Sequence, residues 1–135
     1  MIDVAEREKT ESLTIGDAVK LTGLSADTLR YYEKSEVIGP IDREESGRRR
    51  YSRKDMEWLD FVNCLKSTGM PLDTIREYRR LMMLGNETAA QRKELMVLHK
   101  EYLEHQMTEL QAAMNHINWK IEFYDDILNS SSHSF

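Results

Sequence analysis

The chain is predicted to be mainly α-helical, with a helix-turn-helix and a basic hairpin first and one long C-terminal helix after them. Three observations carry that prediction. Two short amphipathic segments flank Thr22-Gly23-Leu24, the pattern of two helices joined by a tight turn. Two arginine–tyrosine clusters, Leu29-Arg30-Tyr31-Tyr32-Glu33 and Gly47-Arg48-Arg49-Arg50-Tyr51, stand about twenty residues apart. From Glu87 to about Asn129 there is neither glycine nor proline, and apolar residues recur in heptads.

Residues 1–12 are polar and acid-rich and are expected to form a mobile leader, not a signal peptide. Thr14 then precedes Ile15, Ala18, Val19 and Leu21, which follow helical spacing. Gly23 breaks that helix, and Ser25 is placed to cap a second one, Ala26 to about Ser35. Leu21, Leu24 and Leu29 are expected to form the internal core of this pair, which spans residues 15–35. Gly39 and Pro40 prevent the helix from continuing. Residues 38–51, with apolar positions around a Glu44-Glu45-Ser46-Gly47 tip, suit a β-hairpin. Ser52, with Asp55 three residues on, opens a helix over 53–68, and Pro71 opens another over 71–84.

The last element is expected over residues 87–129, with 130–135 a mobile tail. Leu103, Leu110, Ile117 and Tyr124 occupy one heptad position; Met107, Met114, Ile121 and Leu128 occupy the other. About forty helical residues span roughly 60 Å, too far for one small domain to cover such a stripe. A second copy of the chain is the expected partner, making a homodimer.

The formal net charge is −5, but the signs are unevenly spread. Arg7, Arg30, Arg43, Arg48, Arg49, Arg50, Arg53, Arg76, Arg79 and Arg80 all precede Leu81. After it the positive residues are Arg92, Lys93, Lys100 and Lys120, in a segment dominated by acids. The basic face therefore belongs to the first part. A guanidinium matches phosphate oxygens with a fork of donors, and tyrosine adds a hydroxyl and a flat face against sugars. On the second helix of a helix-turn-helix, Ser25, Ala26, Thr28 and Arg30 are placed to meet bases or phosphates in the major groove. In an extended hairpin Arg48 and Arg50 share one face and Arg49 takes the other. A protruding basic hairpin beside such a helix is a wing.

The order and separation of Thr14-Ile15-Gly16, Leu21-Thr22-Gly23-Leu24-Ser25, Thr28-Leu29-Arg30-Tyr31-Tyr32-Glu33 and Gly47-Arg48-Arg49-Arg50-Tyr51-Ser52 resemble the signature of the MerR family of bacterial transcriptional regulators. The likeness covers about Leu13 to Leu84, and the long helix is similar to the family's antiparallel dimerisation coil. The resemblance implies a winged helix-turn-helix dimer on double-stranded promoter DNA. It also implies distortion of the operator so that RNA polymerase finds its elements in phase. Carried over by position, the DNA-contact residues are Thr14, Ser25, Thr28, Arg30, Tyr31, Tyr32, Arg49 and Tyr51. Arg48 stands where the family often has an aromatic, and Arg50 completes the basic run.

Family members that sense metals use cysteines near the ends of the dimer helix, and this chain has none after Cys64. The stretch around Cys64 resembles a subgroup that responds to aldehydes or other thiol-reactive electrophiles, with Lys66 and Arg53 as cations that favour a thiolate. A small buried hydrophobe is the alternative reading of a lone cysteine. His105 and His116 lie about 16 Å apart along a helix and cannot chelate together, so neither metal nor cofactor is expected.

No Gly-rich phosphate loop or nucleophile–base pair has recognisable spacing, which argues against an enzyme. Nor does any stretch approach the roughly 18 apolar residues of a membrane span, and a single cysteine suits a reducing compartment, so the expectation is a cytoplasmic protein. Two rival readings stay open. One is the same fold sensing a small hydrophobic effector. The other is a DNA-binding coiled-coil architectural protein without promoter specificity.

Overall fold

The structure, a computed structural model, describes the backbone of residues 12–133 and the side chains of residues 12–130. The expected leader thus falls outside the described residues except for Ser12. Residues up to Arg92 form one compact unit and those from Lys93 a second.

Helix α1, Ile15–Thr22, opens on a reciprocal capping box. The Asp17 amide donates to Thr14 Oγ1 and the Thr14 amide to the Asp17 carboxylate, each at 3.1 Å, so two otherwise orphaned amides are satisfied. It ends at Gly23, whose φ of 76° is the left-handed conformation a tight helix-to-helix turn requires. Ala18 is the fully buried residue of this helix. Ile15, Ala18, Val19 and Thr22 form the inward stripe, so Leu21, expected in the core, lies off it and is 69% exposed.

Helix α2, Ala26–Lys34, is capped by Ser25, which accepts the Thr28 amide at 3.1 Å. It buries Leu29 and Tyr32. It does not stop on a glycine: Glu36 takes the left-handed position at φ 65°, and the Val37 amide reaches back to the Tyr32 carbonyl at 2.9 Å.

The expected hairpin is present but smaller than residues 38–51. Strands β1, Asp42–Arg43, and β2, Arg49–Arg50, pair antiparallel with Asp42 opposite Arg50 and Arg43 opposite Arg49. Val37, Ile38 and Ile41 leave the ladder because they are buried in the core instead. A bridge from Leu13 to Tyr51 extends the sheet, with amide–carbonyl bonds of 2.8 and 2.7 Å in the two directions.

Helix α3, Arg53–Ser67, begins with a second capping box, Ser52 with Asp55, and α4, Leu72–Met83, follows Pro71. Leu59, Val62, Leu65, Ile75 and Leu81 fill the space between these helices and the helix-turn-helix. Each such side chain, fully removed from water, stabilises by roughly 1.5–3 kcal/mol. Trp58 stacks on Tyr78 with centroids 5.9 Å apart, and its indole N–H donates to the Val37 carbonyl at 2.9 Å. The wing's base is thereby fastened to α3.

The final helix starts two residues later and ends later than expected. A 3₁₀ turn, Asn86–Thr88, comes first, with the Thr88 hydroxyl donating to the carbonyls of Leu81 and Gly85. Helix α5 then runs Ala89–His133, through much of what was expected to be a tail, since no glycine or proline interrupts it. Met107, Leu110, Met114, Ile117, Ile121, Tyr124 and Leu128 are all at least half exposed in the single chain, and Leu103 is partly so. None of the described helices is long and apolar enough to cross a membrane.

Candidate nucleic-acid interface

The N-terminal half of α2 presents a polar surface in which Arg30 is the one basic side chain. Ser25 and Thr28 are joined by a 2.9 Å hydroxyl–hydroxyl bond at its first turn. Arg30 is exposed and meets only the solvent-facing Asp27, at 3.1 Å, among the ion pairs recorded for it. That pair is weak and leaves the guanidinium available. Tyr31 is 52% exposed, whereas Tyr32 is 4% exposed. Their rings lie 6.5 Å apart, one outside and one in the core. Tyr32 therefore does not face a ligand as its position in the motif implied, because consecutive helical residues point about 100° apart. Burial also pushes its phenol above the ordinary tyrosine pKa.

In the wing, side chains alternate as the sequence requires. Arg48 and Arg50 are exposed while Arg49 turns inward. Arg50 donates to Ser12 Oγ at 2.8 Å and pairs with Glu44 at 3.3 Å. Arg49 is occupied: its Nε sits 2.7 Å from Glu33 Oε1, with the two side chains 22% and 16% exposed. Burial pushes the Glu33 carboxyl up, but the Arg49 hydrogen bond, the Ile41 amide and the Arg49 and Arg43 charges together hold it below its ordinary value. Arg49 is thus tied to α2 through its Nε–H.

Tyr51, also expected at the DNA face, is fully buried. Among the described residues its hydroxyl has no hydrogen-bond partner, and burial foremost raises its pKa. Strand alternation puts this residue on the same face as Arg49, the core side of the wing.

The motif reading missed two residues. Arg43, exposed on β1, lies directly opposite Arg49 and donates to the Gly47 carbonyl at 3.0 Å, adding a cation to the wing. Glu33 was quoted only as part of a cluster, and a lone helical glutamate carries no signal that it will find a partner sixteen residues on.

Cys64 is exposed, so the reading as a buried hydrophobe does not hold. It lines an open depression with Thr22, Asp60, Asn63, Lys66 and Ser67. Arg53 cannot assist it, being eleven residues earlier on α3, about 16 Å along the axis, where it pairs with Glu57. Asn63 donates to the Thr22 carbonyl at 3.0 Å, linking the cysteine's helix to the end of α1. Among the described residues, no group of three or more histidine, cysteine, aspartate or glutamate side chains is arranged to hold a metal ion.

A helix-turn-helix whose second helix exposes Arg30, beside an arginine-rich wing, defines a DNA-binding protein. Comparison with known proteins narrows the class. Residues 13–81 match the model of the MerR HTH family regulatory proteins, and residues 56–119 match that of the MerR DNA-binding region. An uncharacterised HTH-type transcriptional regulator of Haemophilus influenzae is 33% identical over 111 residues, covering 82% of each chain. The regulator AdhR of Bacillus subtilis is 31% identical over 91 residues, 67% of this chain and 65% of that protein. Among solved structures, HiNmlR, a MerR family regulator lacking the sensor domain and bound to promoter DNA, superposes with a TM-score of 0.78. It is 32% identical, over 85% of this chain and 91% of that one. The chain belongs to the MerR family. It is a DNA-binding transcriptional regulator and not an enzyme.

Proposed function

We propose that this regulator works as an antiparallel homodimer that binds a pseudo-palindromic operator within a promoter and distorts it for RNA polymerase. The observation that carries this reading is the exposed heptad stripe on α5, Leu103 to Leu128, on a chain with a single recognition helix and wing. Two such helices cover each other's stripe and duplicate the reader, so that two half-sites are read at a fixed separation. The DNA contacts are Thr14, Ser25, Thr28, Arg30 and Tyr31 from the helix-turn-helix, with Arg43, Arg48 and Arg50 from the wing. The promoter-bound relative supports the target, and bending of the DNA is offset by these added backbone contacts.

The signal is an aldehyde or related electrophile at Cys64. The exposed thiol adds to the carbonyl carbon, its proton passes to the carbonyl oxygen, and a hemithioacetal forms with no oxidant required. The adduct grows in the depression beside Thr22, and the Asn63–Thr22 bond relays the displacement to α1. Footprinting on the chain's own promoter, with transcription measured with and without formaldehyde, tests both parts. One protected pseudo-palindrome is expected, with a response that Cys64→Ser abolishes while DNA binding persists. Uniform protection of unrelated DNA would instead make the protein architectural, and a response surviving in Cys64→Ser would remove the thiol from the mechanism.

A further inference from the structure

One carboxylate ties the wing to the recognition helix. Glu33, in the last turn of α2, uses its two oxygens on two different segments. Oε1 accepts Arg49 Nε from β2 at 2.7 Å, and Oε2 accepts the Ile41 amide, one residue ahead of β1, at 2.9 Å. Both partners are partly buried, where charge-assisted bonds of this kind are strong and directional. The register places Arg43 across from Arg49, and its charge also acts on Glu33.

We propose that Glu33 is a positioning residue for DNA binding, setting the distance and angle between the recognition helix and both strands of the wing. Arg49 acts through Glu33 and not on DNA. The inference rests on the DNA-reading function proposed above. A helix in the major groove and a wing on neighbouring backbone bind together only if their separation matches the duplex. A bond to one strand would let the hairpin pivot. Bonds from one carboxylate to both resist pivoting and sliding. Arg49, the middle arginine of the Gly47–Tyr51 motif, is therefore part of the scaffold that aims Arg48 and Arg50.

The test uses a duplex enriched by the wild-type protein from a randomised pool. Affinity is measured against salt concentration, with hydroxyl-radical footprints, for wild type, Glu33→Gln, Glu33→Ala, Arg49→Gln and Glu33→Gln/Arg49→Gln. Glu33→Ala is expected to flatten the dependence of log K on log salt by about 4, the share of two lost phosphate contacts on each of the dimer's two wings. Its footprint loses the flanking wing protection and keeps that of the recognition helix. Glu33→Gln, which retains an acceptor for the Ile41 amide, is expected to lie between Glu33→Ala and wild type. Arg49→Gln should match Glu33→Gln, with the double variant no weaker than either. Weaker binding of Glu33→Ala with wild-type slope and footprint would reduce Glu33 to a structural residue and overturn the proposal. So would an Arg49→Gln slope flatter by about 2 beside an unchanged Glu33→Gln, since Arg49 would then hold a phosphate itself on each wing. A wild-type chain that enriches no sequence removes the regulator reading and this proposal with it.

Discussion

Replacing Tyr51 by phenylalanine separates a motif-based role from the one its surroundings permit. The side chain is fully buried and its hydroxyl has no hydrogen-bond partner among the described residues. An unsatisfied buried hydroxyl costs about 1–3 kcal/mol relative to water. Phenylalanine removes that cost and keeps the ring, leaving a vacancy smaller than a methyl group. Allowing for lost contacts around the oxygen, Tyr51→Phe should stabilise the protein by about 1 kcal/mol. For a unit of this size that is a rise in melting temperature of roughly 4–8 °C. Urea and thermal unfolding at one fixed protomer concentration measure it, because dimerisation makes stability concentration-dependent. DNA affinity at constant salt is expected to stay within about twofold of wild type, less than 0.5 kcal/mol. A destabilised variant would mean that the hydroxyl has a partner, and a tenfold loss of affinity would mean that it reaches DNA. Either result refutes the placement of Tyr51 on the core side of the wing.

Three further outcomes are expected. Arg30→Ala removes only an exposed pair with Asp27, so stability should change by less than about 0.5 kcal/mol, while operator binding weakens by about 1–3 kcal/mol in a mobility-shift titration. Unchanged affinity at moderate salt would move α2 out of the groove. Glu36→Gly relieves a left-handed non-glycine residue, a strain of about 1–2 kcal/mol partly offset by glycine's extra freedom when unfolded. The net gain should be about 0.5–1 kcal/mol by denaturant unfolding, and a loss would show that the Glu36 side chain matters more than its backbone. Antiparallel pairing that leaves Lys100 outside the apolar stripe sets Leu110 against the partner's Ile121. Leu110→Cys/Ile121→Cys in a Cys64→Ser background should therefore form a covalent dimer on mild oxidation. Monomer alone on a non-reducing gel would rule out that register.

Local chemistry was readable residue by residue. Thr14, Ser25 and Ser52 declare their helices because each cap satisfies amides within three residues of itself. Gly23 declares the turn because the chain there must take positive φ. The α5 stripe is equally local, set by a seven-residue repeat along one helix. Errors fell where a side chain's role depends on what crosses it from elsewhere. Leu21 was assigned inward with Ile15, Ala18 and Val19, though helical phase puts Thr22 there. Tyr32 and Tyr51 carried a motif's exposed role into the core.

By itself, then, the sequence determined the family, the element order, the basic character of the wing, and the unpartnered heptad face. Those follow from capping, turn and periodicity rules that act over a few residues. Only the tertiary structure decided which arginines and tyrosines face outward, that Glu33 holds Arg49 and Ile41, and that Cys64 is exposed beside Thr22. Each of these is a contact or a burial made by segments from eight to about forty residues apart, or by two sides of one core. No local pattern records which side chain will lie across from which.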